Sequence, residues 1–553
     1  MRRPRFKDPR PFRLSANTLS VKALAAKTFS ANALAAAVGA GSAALLMLRL
    51  LVPRPVGVAD NYDGVRLMCH LGVDVRLPPG TPRLRDYVEV RYDHLAHFTC
   101  QRHALGSIKL PDVPYRSSQL LLLYAGRVLT RLLGLPGYLD LRAVGLVCCV
   151  LIGAAVGLLY RFAGLRHRYR MLLCGAVVLV AADTVFIDYA ISPFSEIASI
   201  IGLLYVAVAV VMLAQPGPRV RLAGLALAGV SGLFLATAKT QNFPAVLPLA
   251  VVLLAPALPV PTARLRGVDR RLRHRLTGLV TVAVLLAGAV AVSGNEDRRT
   301  AQLTGANFVT VTLLPTSGHP QRDLAELGAP AWLADYAGAP PWCAPTALQN
   351  GAAYRQFAKT VSHQRILGFF GSHPSRLLPV LDRVAEYFYV PRPTSTLCAP
   401  GPHGTQHMVS PYLANYTRAA AAPRGVLDRR WTPVTDALGL LRGGGMGALL
   451  MLWLVPLGAV ALSRRRRALR GVGAAVGLLL AVAVTQFGAS AFADGIDTAK
   501  HLDLAVFATA LAWVFASVEV VAAFTNRRTV ATVMDVPGAA HRNAAVPESE
   551  SVA

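Results

Sequence analysis

Charged residues are scarce in this chain of 553 residues, because Asp, Glu, Lys and Arg together make up only 16% of it. Water-soluble domains carry about 25%. Apolar residues make up 54%, and the mean hydropathy is +0.45. This balance excludes an ordinary cytosolic enzyme, a disordered chain and a fibrous protein.

Acidic residues are the scarcer of the two charge types, with 29 Asp and Glu against 57 Lys and Arg and a formal net charge of +28. Such an excess is typical of nucleic-acid-binding proteins or of the cytoplasmic edge of membrane proteins. The positions of the basic residues distinguish these two classes.

Ten apolar runs are long enough, at about 20 residues, to be candidate membrane-spanning helices. They lie at about 31–52, 139–160, 171–190, 194–214, 221–238, 243–261, 275–293, 444–462, 467–490 and 501–523. If the chain starts in the cytoplasm, the inside segments hold 28 basic and five acidic residues, which is +23 of the net charge. This alternation follows the positive-inside rule and accounts for the basic charge without nucleic acid.

The sequence therefore predicts an all-α integral membrane protein with about ten spans, cytoplasmic N and C termini and two large extracytoplasmic loops. The first span is too long for a cleaved signal peptide and is interpreted as a signal anchor. The predicted parts are a basic tail at 1–30, spans 1–7 at 31–293 with an outer loop at 53–138, an outer loop domain at 294–443, spans 8–10 at 444–523 and a disordered cytoplasmic tail at 524–553.

Two amphipathic segments are predicted in the outer loops. Residues 117–136 are too short and too charged to span, which favours an interfacial helix. Residues 372–389 predict a helix whose apolar side carries Leu377, Leu378, Val380, Leu381, Val384 and Phe388.

Four of the seven cysteines lie in the outer loops: Cys69 and Cys100 in the first, Cys343 and Cys398 in the second. An oxidising outer face permits two disulfides, and four cysteines allow three pairings. Pairing within each loop is favoured because each disulfide then closes one loop. Cys148, Cys149 and Cys174 lie in spans, and no CxxC motif or His cluster indicates zinc.

Polar residues collect on the predicted outer side, where ionisable groups at membrane depth suggest function. Asp60 and Asp63 follow the first span and can act as a base and as a metal or substrate ligand, or belong to a solvated loop. Glu196 opens the fourth span, where a carboxylate is also favoured by the helix dipole.

Two further outer segments carry the cations of this group. Lys239, followed by Gln241, ends the fifth span in a chain with only seven lysines; it suits a phosphate-bearing substrate, or it simply extends to the membrane surface. Asp494, Asp497, Lys500 and His501 lie between the ninth and tenth spans, as a substrate site or a mutually neutralised helix start. Together these segments predict convergence of carboxylates and lysines where an anionic lipid-linked substrate would enter.

At these residues the chain resembles a bacterial family of multi-spanning, hexose-transferase-like membrane proteins of glycan biosynthesis. The segments that carry the resemblance cover most of the chain: Asp60–Arg66 with Leu71-Gly72, Ser192–Glu196, Ala238–Gln241, Asn307–Ser317, Leu324–Gly328, Tyr336–Gly338, His373-Pro374 and Asp494–His501. Such proteins are similar to the GT-C glycosyltransferases.

The resemblance implies a GT-C-like helical fold, a polyprenyl-phosphate sugar donor and a catalytic acid in the first outer loop. On that basis Asp60 or Asp63 is the expected general base, and Arg66, Lys239 or Lys500 holds the donor phosphate. The expected enzyme is an inverting hexosyltransferase of the plasma (inner) membrane that glycosylates a cell-envelope glycan on the outer face. A Mg²⁺ or Mn²⁺ requirement stays open.

Two other functions are compatible with the same residues. A transporter or flippase of a lipid-linked glycan would bind and release its cargo in the same charged region without chemistry. A non-catalytic subunit of an envelope assembly would tolerate neutralisation of all the outer acids. All three functional hypotheses place the chain in contact with membrane lipid, and none involves nucleic acid.

Overall fold

Long apolar runs require helices in a bilayer, because a helix satisfies every internal backbone hydrogen bond within its own segment. The computed structural model describes residues 17–53, 55–58, 64–74, 91–94, 116–255, 270–293, 304–338, 352–391, 398–400, 406–408, 416–417, 430–463, 470–493, 495–496 and 498–534. Helices dominate this part of the chain, as the composition predicts.

The helices range in length from single turns to segments long enough to span a membrane. They are α1 (Asn17–Leu51), α2 (Val65–Leu71), α3 (Gln119–Leu132), α4 (Leu141–Phe162), α5 (His167–Ala181), α6 (Thr184–Ile187), α7 (Glu196–Leu213), α8 (Pro218–Ala236), α9 (Val246–Leu254), α10 (Arg270–Ser293), α11 (Pro320–Glu326), α12 (Ala352–Thr360), α13 (His363–Ser372), α14 (Leu377–Tyr389), α15 (Pro433–Gly439), α16 (Gly445–Ser463), α17 (Arg470–Ala491) and α18 (Thr498–Met534). Single 3₁₀ turns or short 3₁₀ helices occupy Asp188–Ile191, Thr240–Ala245, Leu314–Thr316, Ala331–Tyr336 and Pro374–Arg376, and a π-helix occupies Phe308–Leu313.

Every predicted apolar run overlaps at least one helix among the described residues. Within the described residues, six helices are long and apolar enough to cross a membrane. A seventh candidate is a bent pair, and three shorter apolar segments lie at Thr240–Leu254, Leu276–Val292 and Gly445–Ala461. The number that crosses the bilayer, about ten, stays a prediction, as does the orientation.

The third predicted span, 171–190, is not one continuous helix, which corrects the prediction. α5 ends at Ala181, and the following helical segment turns away by 65°. Asp183 lies at this break, and its carboxylate accepts hydrogen bonds from the backbone N–H of Val185 at 3.1 Å and of Val434 at 2.7 Å. A carboxylate that caps a new helix ends the preceding one.

Helices α1 and α4 pack with very small residues at their contact. A Cβ atom built on Gly153 would lie 2.5 Å from the carbonyl oxygen of Gly39 and 2.8 Å from the Cβ of Ala43. On Gly157 it would lie 2.8 Å from the carbonyl oxygen of Ala35. Small residues spaced in this way let two backbones approach within a membrane, where packing rather than hydrophobicity drives association.

Helix α7 forms the centre of the membrane part. It contacts α4, α8, α17 and α18, and 94% of its residues are buried. Its apolar residues point in all directions, which is the pattern of a helix enclosed by protein. The elements that surround α7 bring its first residue, Glu196, against residues from the second half of the chain.

The segment 304–391 has a hydrophobic cluster of its own, while its place in an outer loop domain stays a prediction. Phe308, Leu333, Phe357 and Val380 lie in it, and Phe492 at the end of α17 packs against it. The helix predicted at 372–389 begins at Leu377 instead, because Pro374 opens a separate 3₁₀ turn.

The apolar side of α14 differs in one residue from the prediction. Leu378 is 57% exposed, whereas Val380, Val384 and Phe388 are buried. Tyr389 joins this helix to α16, since its hydroxyl donates to the carbonyl oxygen of Gly445 at 2.6 Å. Burial, with the charges of Glu386 and Asp382, raises the pKa of Tyr389 to about 12.

Helix α3 has apolar residues on two sides. Leu120, Leu122 and Leu123 are buried against the protein, while Val128 and Leu132 are exposed. An exposed apolar side suits the predicted interfacial position, which stays a prediction.

Short strands accompany the helices, so the all-α prediction is incomplete. Gly57–Val58 pairs with Tyr416–Thr417, with Gly57 opposite Thr417. Arg91–His94 pairs with Val73–Asp74 on one side and with Leu139–Asp140 on the other. Cys398–Pro400 pairs with Gln406–Met408. All these pairings are antiparallel, and the first joins segments that are distant in sequence, a relation that a periodicity argument does not reveal.

The last helix, α18, continues to Met534. It therefore enters the segment 524–553, for which the sequence predicts a disordered tail. Residues 535–553 lie outside the described part of the chain.

Candidate functional site

Four chain segments that the sequence separates widely meet at one place. They are the start of α7 with Glu196, the residues after α8 with Lys239, the end of α17 with Ser490 and the start of α18 with His501. All four are predicted outer ends of spans. The sequence prediction that these polar groups converge therefore agrees with the geometry of the residues that the structure describes.

Lys239 lies at the centre of this group. Its Nζ donates to Oε1 of Glu196 at 2.7 Å and lies 3.1 Å from Nδ1 of His501. With Lys239 protonated, Nδ1 of His501 accepts a hydrogen bond, which places the ring proton on Nε2. The backbone of Lys239 is extended, with φ −151° and ψ 143°, so the chain leaves α8 at this residue.

The ion pair of Glu196 and Lys239 is largely removed from solvent, with side-chain exposures of 6% and 17%. A buried pair has lost the hydration of both charges, so each partner depends on the other. Lys500 adds a second cation near Glu196. Its Nζ lies 5.1 Å from the ring centroid of Phe194, a cation–π distance.

Gln241 connects α17 and α18 through two hydrogen bonds. Its Nε2 donates to Oγ of Ser490 at 2.6 Å and to the carbonyl oxygen of His501 at 2.8 Å. Ser490 Oγ is also 2.8 Å from that carbonyl oxygen. Gln241 thus holds the backbone from which His501 projects towards Lys239.

The segment that carries Lys239 is fixed from two sides. Asn242 Nδ2 donates to Ser199 Oγ at 2.7 Å and to the carbonyl oxygen of Leu235 at 3.1 Å. Ser117 Oγ, just before α3, donates to the carbonyl oxygen of Ala238 at 2.6 Å. These bonds preorganise the position of the Lys239 backbone, which is what a precise binding site requires.

Two buried polar residues near the ion pair were not identified as candidate site residues from the sequence. Asp503 lies in α18, within electrostatic range of Glu196, Lys239 and Lys500 and beside Tyr189. Gln486 lies in α17, one turn before Ser490. Asp503 is an acid inside an apolar run. It lies three residues after Lys500, so the sequence could have indicated that the two side chains share one side of the helix.

A second ion pair lies at the end of α1. Arg49 is 3.6 Å from Asp188 and donates to Oγ1 of Thr184 at 2.9 Å. Thr184 in turn donates from its hydroxyl to the carbonyl oxygen of Trp431 at 3.0 Å. These contacts connect α1 to the break after α5 and to the segment that leaves the outer domain.

Several predicted site residues cannot be placed. Asp60, Asp63, Asp494 and Asp497 lie outside the described residues. Arg66 is in α2, of which only the backbone is described at that position. The structure therefore brings together Glu196, Lys239, Gln241, Lys500 and His501.

Cys69 forms a disulfide. The side chains of Cys100, Cys343 and Cys398 are outside the described part, so the predicted pairing within each loop stays a prediction. The free cysteines among the described residues are the buried Cys148, Cys149 and Cys174.

Among the described ranges, no group of three or more His, Cys, Asp or Glu side chains is arranged to hold a metal ion. The cluster of Glu196, Lys239, Lys500 and His501 offers ammonium groups instead of a set of metal ligands. Ammonium groups in surroundings poor in water, held by carboxylates and an imidazole, can bind and release an anion such as a phosphate.

Comparison with curated proteins and with solved structures gave no match. The family model described as the YfdI N-terminal transmembrane domain matches residues 20–534, which include the candidate spans and all the residues of the ion-pair cluster. This match, together with the apolar helices, identifies a multi-pass membrane protein. The chain belongs to the YfdI family of bacterial membrane proteins.

Proposed function

We propose that the protein is an inverting hexosyltransferase that takes a hexose from a polyprenyl-phosphate donor and transfers it to a cell-envelope glycan at the outer face of the plasma membrane. The observation that carries this proposal is the group of buried Lys500 and half-buried Lys239 and His501 at the predicted outer ends of the spans. Cations at this depth suit a phosphate that is anchored in the bilayer by its lipid chain.

The proposed reaction forms one bond and breaks another at the anomeric carbon. The acceptor hydroxyl attacks that carbon and loses its proton to Asp60 or Asp63. The bond to the phosphate oxygen breaks, and polyprenyl phosphate leaves with one more negative charge. Lys239 and Lys500 stabilise this developing charge, the role that preorganised cations have in group transfer. Arg66, Asp494 and Asp497 are proposed substrate contacts.

The test is sugar transfer by detergent-purified protein from radiolabelled polyprenyl-phosphate hexoses to an envelope glycan extract, with and without EDTA. Asp60→Asn and Asp63→Asn are compared with Asp335→Asn, which changes an exposed acid of the outer domain. Loss of a general base typically lowers the rate about 10²–10⁴-fold. We expect that loss in one of the first two variants and none in the third.

Transfer that survives in the double variant of Asp60 and Asp63 would reject the assignment of the base. Loss of transfer in EDTA would indicate that the reaction needs Mg²⁺ or Mn²⁺.

A transporter of a lipid-linked glycan is the second candidate, and the break between α5 and α6 favours it. Discontinuous helices near a charged site are a feature of secondary transporters, and the 65° bend lies close to Asp188 and Tyr189. Movement of labelled lipid across proteoliposome membranes, without any sugar transfer, would support this function over the first.

A further inference from the structure

We infer that Gln486 and Asp503 form a hydroxyl-binding subsite beneath Lys239, and that this subsite takes the hexose ring of a lipid-linked substrate. The inference rests on the proposed function, since it concerns the sugar of the same donor. It adds two residues that neither the sequence motifs nor the family match assigns.

The first observation is that the side chains of Gln486 and Asp503 are buried and that their hydrogen-bonding capacity is not satisfied. Asp503 is 1% exposed and Gln486 is 0% exposed. Among the described residues, neither carboxylate oxygen of Asp503 and neither Oε1 nor Nε2 of Gln486 makes a hydrogen bond of good geometry, although the Tyr189 hydroxyl lies close enough to Asp503 to interact with it. More than about 90% of buried polar groups have a partner, and each that does not costs about 1–3 kcal/mol. Four such atoms in one region indicate that a bound group completes them.

The second observation is that the two residues lie at similar depth on neighbouring helices. Ser490 Oγ donates to the carbonyl oxygen of His501, which aligns α17 with the antiparallel α18 at this level. Gln486 is four residues below Ser490, and Asp503 is two residues below His501. At a rise of about 1.5 Å per residue, the two residues differ in depth by about 3 Å.

Gln486 and Asp503 also lie on sides of α17 and α18 that are compatible with one shared site. Residues four apart share one side of a helix, so Gln486 lies on the side of α17 from which Ser490 reaches Gln241. Asp503 interacts with Glu196, Lys239 and Tyr189, which places it on the side of α18 that faces α7. Both α17 and α18 pack against α7, and the proposed subsite therefore places both side chains at the edge of one space beneath Lys239.

The charges of this region favour a neutral ligand. Gln486 is uncharged and Asp503 is an acid, so an anionic part of the ligand would be costly at their depth, whereas Lys239 and Lys500 suit the phosphate. A hydroxyl group can form a hydrogen bond with the carboxyl group of Asp503 and accept one from Nε2 of Gln486. A hexose presents several adjacent hydroxyls, and its anomeric oxygen would join it to a phosphate at the level of Lys239.

The test compares the affinity of purified full-length protein for two kinds of lipid: polyprenyl phosphate and polyprenyl-phosphate hexoses carrying glucose, galactose or mannose. Wild type is measured beside Gln486→Leu and Asp503→Asn. The matched control is Gln215→Leu, because Gln215 is a partly buried glutamine of the same bundle whose Nε2 donates to the carbonyl oxygen of Phe162 at 2.8 Å.

We expect wild type and Gln215→Leu to bind at least one hexose lipid more tightly than the bare phosphate lipid. In Gln486→Leu and Asp503→Asn this preference should fall about tenfold, while binding of polyprenyl phosphate is retained. Retained binding of the bare lipid also shows that the variants are folded. Gln486→Leu alone suffices if Asp503→Asn does not fold.

An unchanged preference for the hexose lipid in Gln486→Leu would overturn the subsite and leave ordered water as the occupant of this space. A wild-type protein that binds both kinds of lipid equally would overturn the subsite but not the phosphate site. Binding of neither lipid by wild type would overturn the proposed function and the subsite together.

Discussion

At the scale of single residues, the pair of Glu196 and Lys239 is the contact whose removal has the clearest expected cost. We predict that Lys239→Met lowers the free energy of unfolding by about 3 kcal/mol, because it leaves a buried carboxylate without its cation. The double variant Lys239→Met, Glu196→Gln should recover most of this loss, since neither charge then remains. The measurement is a double-mutant cycle of unfolding in mixed micelles.

The control for this cycle is an exposed ion pair in the outer domain. Arg322 Nε and Glu326 Oε1 are 3.2 Å apart, and the Arg322 side chain is 72% exposed. The same cycle on this pair should give a coupling of about 0.5 kcal/mol or less. Equal coupling energies for the two pairs would contradict the burial argument.

The sequence predicted which residues gather at this site better than it predicted how they touch. Glu196, Lys239 and His501 could be assigned to one side of the membrane because the charge alternation orients each span. Their contacts could not be derived, since the rotation of a helix about its axis depends on its neighbours. Asp503 was missed because a single acid inside an apolar run does not alter the prediction of a span.

At the scale of helices, the glycine contact between α1 and α4 gives a direct test of packing. We predict that Gly153→Val destabilises the protein by about 1–3 kcal/mol, because its side chain would meet the backbone of Gly39 and Ala43. The matched control is Gly175→Val in α5, where a Cβ atom has nothing within 4 Å. Thermal unfolding midpoints of both variants in one detergent provide the comparison.

An equal midpoint for the two glycine variants would show that α1 and α4 can separate without cost. The sign of the expected effect follows from backbone contacts, which cannot move aside as a flexible side chain can.

The helices could be predicted from the sequence and the break between α5 and α6 could not. Apolar runs of sufficient length define a span wherever they occur. Asp183 lies within such a run, but its carboxylate accepts hydrogen bonds from Val434 and Thr435, about 250 residues away. A cap supplied through such a distant contact leaves no local pattern. The strand pair of Gly57–Val58 with Tyr416–Thr417 was missed for the same reason.

At the scale of the whole molecule, the charge alternation predicts the side of the membrane for every link. We expect Arg322→Cys in the outer domain to react with a membrane-impermeant maleimide in intact cells. Arg219→Cys, in the first turn of α8 next to the link from α7, should react only after lysis. Both arginines are exposed, so accessibility depends on the side of the membrane and not on burial.

The wild-type chain provides the background for this labelling experiment. Its free cysteines among the described residues are buried in spans, so they should contribute little signal. Labelling of Arg219→Cys in intact cells, with protection of Arg322→Cys, would mean that the orientation is inverted.

The central position of α7 also has a consequence for the order of synthesis. A ribosome completes Glu196–Leu213 long before it reaches α17 and α18, which later cover this helix. Glu196 therefore enters the bilayer while His501 and Lys500 do not yet exist. Lys239 follows shortly after α8, at the predicted outer end of the α7–α8 hairpin, so the ion pair can form as soon as this hairpin inserts. We therefore expect this hairpin to insert as one unit, and the site to be completed only when translation has passed residue 501.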